Sequence, residues 1–141
     1  MDVCPSLIVE SLNVRKIVVP SLALESLWRE CPGECAAALS GTRIEDVYHV
    51  LEAYKLRGTY TQGAFRVDFG DWVEAVHRAA SSGLEYIGLL HIHKDSQSTP
   101  SPLDLRRMME CPGEVWVIMS KRGVRAWVYE SELRELVVFV T

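Results

Sequence analysis

Apolar and polar positions along the chain follow two periods, one of strands and one of helices. Lys16-Ile-Val-Val-Pro20 is a short apolar run that stops at a proline, as a buried strand does. Ser21 is placed to cap the helix that follows. There Leu22, Leu24, Leu27 and Trp28 form an approximate apolar face until Cys31-Pro-Gly33 ends it. Glu34 to Leu39 and Ile44 to Leu56 then predict two strands, with Ser40-Gly41 as the turn between them. Gly58, Gly63 and Gly70 punctuate a loop-like stretch in which Phe65 to Phe69 alternates as a strand would. Asp71 is expected to cap a second helix, because Trp72, Val73, Val76, Ala79 and Ala80 recur at helical spacing before Ser81-Ser-Gly83 stops them.

Tyr86 to Leu90 is a buried strand that runs directly into His91-Ile92-His93, followed by a polar loop from Lys94 to Pro100. Ser101-Pro102-Leu103-Asp104 carries the marks of a helix start: a serine cap, proline at the first helical position and an acid in the first turn. That helix is expected to run to Glu110. Val115 to Met119 and Val124 to Tyr129 flank Lys121-Arg-Gly123 as a hairpin, and Leu136 to Val140 is a last strand. Strands and helices in this order predict an α/β (α+β) fold, a mixed β-sheet flanked by helices. Glu30-Cys-Pro-Gly-Glu34 recurs as Glu110-Cys-Pro-Gly-Glu114, each copy between a helix and a strand. One local turn used twice accounts for the echo without gene duplication.

Composition removes several classes of function. Hydrophobic residues make up 48% of the chain and charged residues 24%, enough to build a core, so disorder is excluded. No apolar run approaches the roughly 20 residues of a membrane span, and a net charge of −4 gives no general attraction to phosphate backbones. Neither a membrane nor nucleic acid is expected as a partner. The opening Met1-Asp-Val-Cys-Pro lacks the basic start and apolar stretch of a signal peptide, so a cytoplasmic location is expected. Cys4, Cys31, Cys35 and Cys111 contain no Cys-x-x-Cys pair and read as structural thiols. The chain has a single asparagine and more arginines than lysines, as a thermophilic source would favour, and there a cytosolic disulfide is tolerated.

The chemistry concentrates in one triplet. Two of the four histidines are His91 and His93 at the end of a buried strand. Side chains two apart on a strand project to one face, about 6–7 Å apart at Cα, so both imidazoles can reach one metal ion. Asp104, on the first turn of a helix after a loop that can fold back, supplies a carboxylate. Two imidazoles and one carboxylate fill three positions of a tetrahedral zinc and leave the fourth for water, the arrangement of catalytic zinc. Hydrolysis also needs a base outside the metal's own ligands. Glu34 is the candidate, an acid at the head of a short strand of small apolar residues, with Glu114 as its decoy. His49 and His77 stand alone and are left out of the site, and Trp28, Trp72, Trp116 and Trp127 are expected in core packing.

The pattern Glu34, His91-Ile92-His93, then seven residues, Ser101, two residues and Asp104 resembles the signature of the JAMM (MPN+) zinc metalloproteases. Pro32-Gly-Glu34 through Gly41 is similar to that family's Pro-x-Glu segment, and Gly88-Leu-Leu-His91 to its Gly-Trp-x-His. The chain departs from it at Ile92, where Ser or Thr is usual, and at Lys94, where Pro is usual. Ile92 should point away from the metal; Lys94 either brings a positive charge near the substrate channel or, the preferred reading, is simply solvated; Asp95 is too near His93 to be the third ligand.

The resemblance covers nearly the whole chain. It implies an MPN, cytidine-deaminase-like fold over residues 1–141 as a minimal, single-domain, archaeal-type member. It makes His91, His93 and Asp104 the ligands of one Zn²⁺ and Glu34 the acid/base in preference to Glu114. Ser101 becomes a hydrogen-bond donor to the developing oxyanion. The implied activity is a deubiquitinase-like isopeptidase acting after the Gly-Gly tail of ubiquitin-like conjugates. Three alternatives stand beside it: removal of an amino acid from a small sulfur-carrier protein, a non-catalytic MPN scaffold, and a non-haem iron centre of two histidines and one carboxylate.

Overall fold

The computed structural model describes residues 13–61, 64–94 and 96–141; Cys4 and the rest of residues 1–12, Gln62, Gly63 and Asp95 lie outside them. Strand β1 (Lys16–Val19) leads into helix α1 (Ser21–Glu30) and the long strands β2 (Glu34–Ile44) and β3 (Val47–Leu56). A hairpin of β4 (Gly58–Thr61) and β5 (Ala64–Val67) precedes α2 (Phe69–Ser81) and β6 (Glu85–His93). Helix α3 (Pro102–Glu110) then feeds β7 (Val115–Ser120), β8 (Gly123–Tyr129) and β9 (Leu133–Val140). The main sheet runs β1-β3-β2-β6-β7-β8-β9, and β9 also pairs in parallel with β1, so the expected mixed sheet closes into a barrel. Strands β4 and β5 form a separate two-stranded sheet where the sequence reading placed a loop and one strand.

The two faces of β2 and β6 bury different sets. Cys35, Ala37 and Leu39 of β2 join Leu90 and Ile92 of β6 in a cluster that fills the barrel, with Leu24 and Leu27 of α1 packed into it. Ala38 and Leu89 face outward against Trp72 of α2, Met108 of α3 and Trp116 of β7. The strand period of two places Glu34 and Ala36 on that outer face as well, directly opposite His93 and His91 in the antiparallel ladder. The functional side chains therefore stand outside the barrel, under the helices.

Several boundaries differ from the sequence expectation, each for a local reason. Ser40-Gly41 is not a turn: β2 continues to Ile44 and the chain reverses at Glu45-Asp46, with Glu45 at φ 57°. Gly41 sits instead at a register shift, where an added Cβ would collide with the His49 carbonyl oxygen. Its missing side chain serves close strand approach. Helix α1 has Pro20 at its N-cap, with no side-chain capping bond, so Ser21 is already helical. Helix α2 is capped by Asp68, whose carboxylate accepts from Asp71 N at 2.9 Å. Asp71 itself is buried in the first turn and accepts from the Arg57 backbone N–H at 2.7 Å. The three described cysteines are oxidised rather than thiols: Cys31 and Cys35 form a disulfide, and Cys111 is disulfide-bonded too. Cys31 at the end of α1 and Cys35 on the inner face of β2 meet in the barrel cluster, with Cα atoms 5.8 Å apart.

Candidate metal centre

Three segments deliver the site. Strand β6 passes close to β7, where a Cβ on Gly88 would collide with the Val115 carbonyl oxygen, and ends in His91 and His93, both 4% exposed. Glu34, the first residue of β2, pairs with His93, and the small Ala36 pairs with His91 and leaves room for its ring. Asp104, also buried, comes from the first turn of α3. The helix start expected from the sequence is present in full: Ser101 is the N-cap, Pro102 opens the helix, and a capping box joins Ser101 to Asp104.

The side chains converge. The rings of His91 and His93 lie 4.5 Å apart at an interplanar angle of 73°. Glu34 Oε1 is 3.4 Å from His91 Nε2 and 3.8 Å from His93 Nε2. Asp104 Oδ2 lies 3.0 Å from His93 Nε2 and Oδ1 3.4 Å from His91 Nδ1. One ligand atom each of Glu34, His91 and His93 fits within 4.8 Å, which makes this trio a group able to hold a metal ion. Asp104 lies outside that trio but contacts both of its imidazoles, at His91 Nδ1 and His93 Nε2, while Glu34 approaches His91 from its Nε2 side.

The surroundings fix these donors. His93 Nδ1 lies 3.1 Å from the Gln97 carbonyl oxygen; an N–H donated there leaves the Nε2 lone pair facing the site. Trp116 packs edge-on against His91, with ring centres 5.7 Å apart. Asp104 Oδ2 accepts from Ser101 N at 3.0 Å, and Asp104 N donates to Ser101 Oγ at 3.1 Å. Burial opposes ionisation of Asp104, but contacts with His91 and His93 outweigh it and hold the carboxyl well below the usual range. Burial likewise opposes a charged His91, yet hydrogen bonding to Asp104 and Glu34 raises it to about 9. Anionic oxygens set against ring nitrogens are the electrostatics of a cation site, and imidazole with carboxylate suits a divalent transition metal.

The structure brings Glu34, His91, His93 and Asp104 together, with Ser101 joined to Asp104. Ile92 is fully buried in the barrel, away from the site as expected. Lys94 departs from expectation: its Nζ stands 5.1 Å from the centre of the half-buried Trp28 ring rather than in open solvent. His49 stays in its ladder on β3 and His77 is exposed on α2, both outside the group. Glu114 is 1% exposed and accepts from Tyr86 OH at 2.5 Å, apart from the four. Sequence reading missed Gln97, whose contribution is a main-chain carbonyl that any residue could supply, and the contact of Trp116 with His91.

A closed barrel with two imidazoles buried between two carboxylates on its outer face defines a protein with a candidate metal-binding centre. The sequence model of the prokaryotic homologs of the JAB domain matches residues 18–130, and the chain belongs to that family. All five residues from Glu34 to Asp104 fall inside the match. The fold agrees with the solution structure of protein DSY2949 from Desulfitobacterium hafniense, with a TM-score of 0.74 and 20% identity over 89% of this chain and 92% of that one. A search of curated proteins gives no match. Among the described residues no helix is long and apolar enough to cross a membrane.

Proposed function

We propose that the chain is a zinc-dependent isopeptidase of the cytoplasm, a deubiquitinase-like hydrolase that cleaves the amide bond after the C-terminal Gly-Gly of a ubiquitin-like modifier. The reading is carried by the convergence of Glu34, His91, His93 and Asp104 at the end of β6. His91 and His93 through ring nitrogens, and Asp104 through a carboxylate oxygen, are the residues that would hold the ion. When bound, zinc supplies a Lewis acid for the amide carbonyl and lets a water ionise near neutral pH.

The remaining work belongs to the chain's own groups. The Glu34 side chain is 14% exposed against 6% for Asp104, which suits Glu34 to meet water while Asp104 stays anchored by the helix start. Glu34 takes a proton from the attacking water and gives it to the leaving nitrogen as the C–N bond breaks. Ser101 Oγ accepts from Asp104 N, and its own hydrogen remains to donate to the oxyanion of the attacked carbonyl. The test is Glu34→Gln against ubiquitin-like fusion proteins, with chelator and zinc add-back as controls. The variant should keep one zinc per chain and lose cleavage. Cleavage at the wild-type rate would remove Glu34 as the base, and iron in place of zinc in the purified protein would remove the zinc-protease reading.

A further inference from the structure

Glu34 is the first residue of β2, and strand ends are where a ladder frays. A base placed there needs holding from outside the ladder. On one side the Gly33 carbonyl accepts from Lys94 N at 3.1 Å, just past His93. On the other, Cys35 turns inward and is bonded to Cys31 at the C-cap of α1, with both residues at least 96% buried. The disulfide thus closes a loop whose interior is Pro32, Gly33 and Glu34. The repeat Cys111-Pro-Gly-Glu114 ends in Val115, so the second cysteine occurs only in the copy that carries the site acid.

We infer that the Cys31–Cys35 disulfide is a positioning element for Glu34. It ties the start of β2 to the end of α1 and fixes the backbone from which Glu34 reaches His91 and His93. This rests on the proposed role of Glu34 as the base. A dithiol reverses the clamp: its two thiol hydrogens and two electrons pass to the sulfurs of Cys31 and Cys35, and the dithiol closes to its own disulfide. Reduction then lowers turnover while His91, His93 and Asp104, which the bridge does not touch, keep the metal.

The test pairs Cys31→Ala/Cys35→Ala with dithiothreitol-reduced wild type and reads amide hydrogen exchange on metal-free protein. Exchange at the amides of residues 35 and 94 should quicken at least tenfold in both samples, while Leu89 and Leu90 in the middle of β6 stay as protected as before. Dithiothreitol should add nothing at these amides in the double variant. Zinc content should be unchanged, and kcat on a modifier fusion should fall by about 10²-fold, the loss expected of a group displaced by 1 Å, with KM unchanged. Unchanged exchange at these two amides overturns the inference, as does faster exchange with undiminished cleavage. A wild type that cleaves no fusion counts against the hydrolase reading alone, and the exchange result still decides the clamp. Reduced wild type supplies the answer if the double variant does not fold.

Discussion

Replacing Glu114 by glutamine should change stability by an amount that depends on pH and shifts in the variant's favour as pH rises. Glu114 is 1% exposed and accepts a hydrogen bond from Tyr86. Burial, only partly offset by Tyr86 and Trp116, pushes the carboxyl up from 4.5 to about 7. The folded chain therefore keeps this proton to a higher pH than the unfolded chain does. Stability from the neutral acid is fully present below pH 4.5, declines as the unfolded state ionises, and is gone once pH passes 7. At about 1.36 kcal/mol per pH unit, that interval corresponds to about 3 kcal/mol. Glutamine keeps the size and the acceptor for Tyr86 and does not titrate, while its amide N–H₂ adds a buried donor whose cost is the same at every pH. The gap between variant and wild type should thus widen in the variant's favour by about 3 kcal/mol from pH 4.5 to 8, or about 10 °C in Tm. Urea unfolding with chelator present, followed by tryptophan fluorescence, measures it. A gap that stays constant across this range would refute the burial argument.

Three further outcomes follow from the geometry. Ser101→Ala removes the α3 cap, costing about 1 kcal/mol, and with it the proposed oxyanion donor, whose loss should slow turnover about 10²–10³-fold; zinc content by metal analysis should not change, and its loss would mean that Ser101 acts by anchoring Asp104. Gly41→Ala drives a Cβ into the His49 carbonyl and should cost more than about 3 kcal/mol in urea unfolding, because backbone must move; a near-neutral result would mean that the β2–β3 ladder yields there. Zinc bound only by the folded chain should stabilise it by about 4 kcal/mol at a thousandfold excess over Kd, so thermal scans with and without chelator should differ; coincident scans would refute a metal site of the folded state.

The site was more legible than the fold around it. His91, His93, Ser101 and Asp104 are close in sequence, and their types and spacing already define a strand end, a loop and a capped helix. Glu34 is remote: its place at the head of a strand of small apolar residues marks it as the candidate, and the family resemblance sets it above Glu114. Barrel closure was hidden because β1 and β9 pair in parallel from opposite ends of the chain, and no local pattern encodes such a contact. Gly41 and Asp71 misled in another way. A glycine after a serine and an acid before an apolar run are turn and cap signals, but here one relieves a close strand approach and the other is buried against Arg57. The Cys31–Cys35 bond depends on the inward face of β2, which becomes evident only when Cys35 is seen paired opposite the buried Ile92.

The two Glu-Cys-Pro-Gly-Glu segments show why identical local sequence ends in opposite roles. Both close a helix in the same way, with Cys31 N–H donating to Trp28 O and Cys111 N–H to Met108 O. Their backbones part from the cysteine onward, with ψ 124° at Cys31 against 68° at Cys111, and Gly113 takes φ 92° whereas Gly33 is not in the left-handed region. The larger difference is the direction of the strand that follows. Strand β2 runs antiparallel to β6, so its first residue meets the last residue of β6, and Glu34 faces His93. Strand β7 runs parallel to β6, and its first residue, Val115, pairs with Gly88. Glu114, one residue earlier, is therefore level with Ile87, about 13 Å along the strand from His91. There its neighbour is Tyr86, and its carboxyl is buried as a neutral acid instead of facing ring nitrogens. Ladder polarity, rather than the motif, makes one glutamate a candidate base and the other part of the core.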